Sequence, residues 1–240
     1  MSINQHPLSF DVHQRILLKI SGEFFKKSDK EPFCWRTMHA LAQSIRTQKK
    51  RQWVVVVGGG NIWRGRDAPQ NFCHRAADAM GIMATYINAL ALQEILTQNH
   101  VESCILTSRT IEGLGQSFSF QNAETALAQE KIVICAGGTG VGGITTDTAA
   151  VLRAYETNCS LIMKGTNVDG VYDKDPGSCD DAEFLSHICY DVALSKNLAF
   201  MDRAALALAK EHQKTTVVFS LKKNLSGILD GTERCSILTV

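Results

Sequence analysis

Short apolar runs alternate along the chain with longer stretches in which apolar residues recur every three or four positions. The runs predict strands over residues 15–20, 53–57, 101–107, 131–135, 160–164, 216–220 and 236–240. Most are apolar at nearly every position, as strands are when both faces of a largely parallel sheet are covered. Helices are predicted where the period lengthens. Met38, Leu41, Ala42 and Ile45 follow an i, i+3, i+4, i+7 spacing. Ala76, Met80, Met83, Ile87 and Leu90 recur at intervals of four, three, four and three within a long helix over 72–98. This second stripe predicts a face packed in the core. Further helices are expected over 146–156 and 203–211. Strand and helix taking turns in this way predict an α/β sandwich. No internal repeat, low-complexity tract or linker interrupts the pattern.

A chain of 240 residues is long enough for one large α/β domain. Its 25 lysines and arginines nearly cancel 24 aspartates and glutamates, leaving a formal charge of +1. That balance argues against binding nucleic acid through a broad electrostatic field. No apolar run reaches the roughly 20 residues of a membrane helix. The polar N-terminus lacks the apolar segment of a signal peptide, so no membrane association and a cytoplasmic location are expected. The eight cysteines (Cys34, Cys73, Cys104, Cys135, Cys159, Cys179, Cys189 and Cys235) and the seven histidines are scattered, with no C-x-x-C pair. Zinc sites need clustered ligands. Cys104 and Cys135, set in apolar runs, read instead as buried thiols of a reducing compartment.

Candidate chemistry lies in three small-residue loops, each just after a predicted strand. They are Lys19-Ile20-Ser21-Gly22; Gly58-Gly59-Gly60-Asn61 followed by Arg64; and Gly137-Gly138-Thr139-Gly140-Val141-Gly142-Gly143, which leads into Thr145-Thr146-Asp147. Glycine lets the backbone approach a ligand closely and aim N–H groups at phosphate oxygens. The third loop also opens a predicted helix, whose N-terminus favours an anion. With Lys19, Arg64 and Lys164 alongside, the loops predict a ligand carrying several phosphates. The absence of G-x-x-x-x-G-K-[ST] excludes a Walker-type loop. The spacing of Gly138, Gly140 and Gly143 matches the dinucleotide fingerprint in letters. However, it falls past mid-chain, and the next predicted strand ends in Lys164 rather than an acidic residue. The stretch 164–176 turns through Asp169-Gly170 and offers Tyr172 and Asp175 before Pro176. Alone it could be a hairpin turn; beside the other loops it reads as a lid over a nucleotide base.

Together these segments resemble the amino-acid kinase family, most closely its bacterial uridylate kinase branch. The matching pieces are 15–23, 57–65, 75–84, 145–150, 168–172 and 200–205. The resemblance implies a single domain over 1–240, with 1–14 as a loosely ordered extension. Its architecture would be a three-layer α/β/α sandwich around a mostly parallel sheet. It implies a cytoplasmic homohexamer that phosphorylates UMP to UDP with ATP and Mg²⁺ in pyrimidine nucleotide biosynthesis. No protein ligand to the metal is assigned. Lys19, Ile20, Ser21, Gly22, Gly60 and Arg64 would hold the ATP phosphates, and Thr166, Tyr172 and Asp175 would contact the ATP nucleoside. Gly59 would touch UMP and Asp78 its ribose. Thr139, Gly140, Val141, Gly142, Gly143, Ile144, Thr145 and Thr146 would wrap the acceptor. Lys164 would lie near the transferred phosphoryl group, with Asp147 and Asp202 organising the lysines or Mg²⁺.

Plainer readings stand beside these. Asp147 could be a first-turn helix charge, Asp202 a helix cap and Asp78 a solvated helix residue. The family usually carries Asn-Pro and two bulky residues where this chain has Val141-Gly142-Gly143-Ile144. A different acceptor, or a nucleotide-binding regulator, therefore remains as an alternative. A phosphate monoester with a second pKa of about 6 is largely dianionic at pH 7 and needs no general base. This agrees with the lack of any plausible His–carboxylate pair.

Overall fold

The computed structural model describes residue 10 and residues 14–240. Apart from Phe10 and Gln14, the expected N-terminal extension lies outside the described residues. The strands are β1 (Arg15–Ile20), β2 (Gln52–Val57), β3 (Ser103–Thr107), β4 (Gln116–Ser117), β5 (Ile132–Ala136), β6 (Leu161–Thr166), β7 (Val171–Tyr172), β8 (Phe184–Leu185), β9 (His187–Cys189), β10 (Thr215–Ser220) and β11 (Ser236–Thr239). The helices are α1 (Gly22–Phe25), α2 (Trp35–Arg46), α3 (His74–Gln98), α4 (Phe120–Ala128), α5 (Thr146–Glu156), α6 (Tyr190–Ser195), α7 (Arg203–Glu211) and α8 (Leu225–Leu229). Nine strands form one sheet in the order β4-β3-β5-β2-β1-β6-β10-β11-β9. Every pairing in it is parallel except β10 with β11. β7 and β8 make a separate antiparallel ribbon.

Successive side chains of a strand point to opposite faces, and the apolar runs fill both. Ile16, Leu18 and Ile20 of β1, with Val55 and Val57 of β2, meet residues of α2, α3 and α8 in one core cluster. Leu17 of β1 and Val54 and Val56 of β2 meet α4, α5, α6 and α7 in the other. The result is the expected three-layer sandwich, with helices on both faces of a mostly parallel sheet.

The seven predicted strands are all present, with ends within two residues, and the helices over 146–156 and 203–211 coincide with α5 and α7. β6 runs past the expected residue 164 because Gly165 pairs with Ile20 and Phe219, and Thr166 with Ser220. β3 starts later than expected because the Val101 N–H bonds back to the Leu96 carbonyl and closes α3.

One expectation is overturned. Met80, Met83, Ile87 and Leu90 do not face the core; they are between 40% and 48% exposed. The buried face of α3 instead carries Ala77, Ala84, Tyr86, Ala89, Leu92 and Leu96, together with polar Thr85 and Asn88. The helix is apolar nearly all round. The face rich in small residues is the one that comes close to the sheet, against β2, β3 and β5. The same composition makes α3 long and apolar enough, by length and composition alone, to cross a membrane. Polar residues such as Asp78, Thr85 and Asn88 interrupt it, and 44% of its apolar stretch is buried inside the protein.

Among the cysteines, Cys135, Cys159 and Cys235 are buried, and burial pushes their thiols up to about 12, 11 and 11. Cys104 is half-buried at the edge of the second core cluster.

Candidate active site

Strand order sets the location. From β1 the chain runs outward through β2, β3 and β5, then crosses with α5 to β6 on the other side of β1. Open α/β sheets form their ligand crevice at such a reversal, outside the carboxyl ends of the strands. Lys19 and Lys164 stand there, paired in register on β1 and β6. Lys19 follows Leu17, and Lys164 follows Ile162, onto the face covered by α5. The first turn of α5 supplies Asp147.

Asp147 bridges the two lysines. Lys19 Nζ lies 2.5 Å from Oδ1 and Lys164 Nζ 2.5 Å from Oδ2. All three are largely shielded from solvent. Burial and the adjacent Lys19 charge push Lys164 down to about 8, against the opposing pull of Asp147. Burial alone would raise the Asp147 carboxyl, but the charges of Lys19 and then Lys164 hold it below the usual carboxylate range.

The helix cap fixes Asp147 in turn. Thr145 Oγ1 accepts from the Asp147 and Thr148 N–H groups and donates to Asp202 Oδ2 at 2.5 Å. Thr148 Oγ1 also donates to Asp202, and Asp202 Oδ1 accepts from the Ala205 N–H. Asp202 is thus the cap of α7 and the clamp between the starts of α5 and α7. Its carboxylate bonds go to these groups rather than to a lysine.

A cavity of about 990 Å³ opens beside Lys19. Ser21, Gly22, Gly59, Gly60 and Arg64 line one wall, Asp78 another, and Gly137 to Thr139 with Val141 to Thr146 a third. Gly22 has no room for a side chain: a Cβ there would collide with the Gly60 amide. Two glycine loops therefore touch backbone to backbone. Ile20 turns its side chain fully into the core and serves the site through its carbonyl, which accepts from the Gly58 N–H at 2.8 Å. Arg64 donates from Nε to the Gly60 carbonyl at 3.1 Å and pairs with Glu23 at 2.5 Å. Glu23 had no assigned role in the sequence, and only its place after the first loop pointed to it. Asp78 is half-buried rather than solvated. It sits against Gly142, where a Cβ would lie 2.8 Å from Oδ2. Gly140 is outside the cavity lining, and its carbonyl accepts from Arg109 Nε at 2.8 Å.

Thr166, Tyr172 and Asp175 also lie outside this cavity. Thr166 Oγ1 donates to the Val168 and Phe219 carbonyls. Tyr172 belongs to the β7–β8 ribbon, where its ring meets Phe184 edge-on and its hydroxyl donates to Asp169. Arg234 covers Phe184, 3.7 Å from the ring centre, and lies 3.4 Å from Asp169. Asp175 accepts from the Gly177 N–H in a tight turn.

Cationic groups around a crevice walled by glycine loops suit a phosphorylated ligand. The chain belongs to the Amino acid kinase family, whose match spans residues 14–220. Among curated relatives, the uridylate kinase of Ureaplasma parvum serovar 3 is 39% identical over 230 residues, 95% of this chain and 97% of that protein. The crystal structure of UMP kinase from Ureaplasma parvum superposes with a TM-score of 0.90 at 38% identity, covering 95% of this chain and 99% of that one. UMP kinase from Bacillus anthracis superposes with a TM-score of 0.88 at 29% identity, covering 94% and 96%.

Proposed function

We propose that this chain transfers the γ-phosphoryl group of ATP to the phosphate of UMP, yielding ADP and UDP. The observation that carries this reading is the Lys19–Asp147–Lys164 bridge beside a cavity walled by three glycine-containing loops. Relatives named uridylate kinase and UMP kinase, matched over nearly their full length, support the choice of acceptor.

In this reading, an oxygen of the UMP phosphate forms a bond to the γ-phosphorus while the bond to the bridging oxygen of ADP breaks. The acceptor is already anionic, so the chain has charge to neutralise and two phosphates to align. Lys19 and Lys164 supply cations near that charge, Arg64 a further one, and the glycine loops supply N–H donors. Asp78, which lines the same cavity, would hold a ribose hydroxyl of UMP. Thr166, Tyr172 and Asp175 belong to the ATP nucleoside end.

Mg²⁺ would come with ATP and neutralise its phosphate oxygens. The protein's carboxylates fit that role at one remove. Both oxygens of Asp147 are taken by lysines, and those of Asp202 by threonines and a backbone amide. Among the described residues no group of three or more His, Cys, Asp or Glu could hold a metal.

The test is ADP release with Mg-ATP and a panel of UMP, CMP, dTMP, AMP and GMP. Strong preference for UMP is expected. Silence with every nucleotide, from protein that still binds ATP, would overturn the reading in favour of another acceptor or a regulator.

The chain also reads as a single domain assembling into a cytoplasmic homohexamer. The exposed stripe Met80, Met83, Ile87 and Leu90 fits a second copy meeting the first across a two-fold axis, where one apolar face serves both partners. Ile87→Glu should therefore lower the assembly mass measured by light scattering. An unchanged mass would exclude this face as a contact.

A further inference from the structure

The buried face of α3 holds two polar side chains that no substrate role accounts for. Thr85 is 3% exposed and Asn88 is 0% exposed. They stand one turn apart, at the i, i+3 spacing that places side chains on the same face. Buried polar groups are in the large majority hydrogen-bonded, and each of these bonds a different loop of the site.

Thr85 Oγ1 donates to the Ile82 carbonyl of its own helix and accepts from the Gly137 N–H, both at 2.7 Å. Gly137 opens the third glycine loop, two residues before the stretch 139–146 expected to wrap the acceptor, and its φ is +86°. A side chain there would collide with Tyr86 and Ser108. Asn88 Nδ2 donates to the Gly58 carbonyl at 2.6 Å and to Asn61 Oδ1 at 2.7 Å, and Asn61 Nδ2 donates back to Asn88 Oδ1 at 3.0 Å. Gly58 and Asn61 are the two ends of the loop facing the phosphates. Between them Gly59 is seated on the same helix: a Cβ there would lie 2.8 Å from Ala84 Cβ and 2.9 Å from the Gly81 carbonyl.

We infer that Thr85 and Asn88 are positioning residues: side by side on α3, they set the spacing between the acceptor loop and the phosphate loop. The helix is the rigid ruler, with about 4.5 Å of rise separating the two residues. Thr85 borders the cavity and Asn88 lies behind it; alignment of donor and acceptor phosphates then depends on the bonds these two side chains make to the loops. This inference rests on the phosphoryl-transfer reading above.

The test is steady-state kinetics with Mg-ATP and UMP on the wild type and on Thr85→Val, Thr85→Ser and Asn88→Ala. Valine keeps the volume of threonine and removes the acceptor for the Gly137 N–H; serine keeps that acceptor. Thr85→Val should raise KM for UMP about tenfold and leave KM for ATP within about twofold, with Thr85→Ser close to wild type. Asn88→Ala should lower kcat by about tenfold through misplacement of the phosphate loop. If the valine variant does not fold, Thr85→Ala carries the same comparison. Unchanged kinetics in Thr85→Val, equal impairment in Thr85→Ser, or a joint rise of both KM values would each overturn the inference. A wild type that transfers no phosphate would instead overturn the reading beneath it.

Discussion

Lys19→Ala is expected to lower kcat by at least about a hundredfold, comparable to removing one strong contact made in the transition state. Lys19 is the lysine that lines the cavity and sits beside the first glycine loop. Its ammonium is held in place by Asp147 before any substrate arrives, so its charge is preorganised. The loss should not come from collapse of the remaining pair. Asp147 keeps Lys164 as a partner. Removing the Lys19 charge also relieves one of the two influences that push Lys164 down, so Lys164 stays protonated. ADP release measured at saturating substrates, alongside a melting curve, separates the two effects. Near-wild-type turnover would sink the proposed mechanism.

Asp147→Asn should be more damaging, because it costs activity and stability together. The substitution leaves two lysines side by side in a largely dry site without their shared counter-charge. Breaking a buried ion pair by removing one partner costs about 3–5 kcal/mol, enough to lower the melting temperature visibly. The pH dependence gives the sharper signature. Lys164 has its pKa pushed down to about 8, below its usual value of 10.5, and Asp147 is the group that opposes this fall. In the wild type, kcat/KM for ATP should drop as pH rises through about 8, because that ratio reports ionisations of the free enzyme. In Asp147→Asn the drop should move to lower pH. Stability follows the opposite course. A lysine whose folded pKa lies below its unfolded value destabilises the fold most where it is charged, below about pH 8. That cost fades as pH rises towards 10.5. The melting deficit of Asp147→Asn should therefore shrink in alkaline buffer. A deficit that is constant with pH would show that Lys164 is not the strained group.

The strands at the centre of the sheet were legible because they are buried on both faces and therefore apolar at consecutive positions. β4, β7, β8 and β9 were not, since two or three residues cannot display a period. α4 was missed because its buried residues are mostly alanines, although Ser119 caps it in the ordinary way. Helix ends were obscured for a different reason. Five elements are closed by His100, Glu130, Asn158, Asn197 and Gln213 in the left-handed conformation, where a sequence reader looks for glycine. The stripe on α3 was assigned to the wrong face because both of its faces are apolar, and only the small residues distinguish the one that packs. In the site, the lysines and glycine loops could be read from residue type and position. The Glu23–Arg64 pair, the clamp made by Asp202, and the duties of Thr85 and Asn88 could not, because each joins segments far apart in the chain.

The place of β1 in the sheet bears on how the chain is made. Its neighbours are β2, synthesised soon afterwards, and β6, synthesised only after residue 160. Until then one margin of an almost wholly apolar strand has no partner, and such margins invite pairing with other chains. The single charge within its buried stretch is Lys19. A charged residue on an unpaired strand margin discourages that kind of association. Lys19 is thus placed to discourage such association while the centre of the sheet is still incomplete.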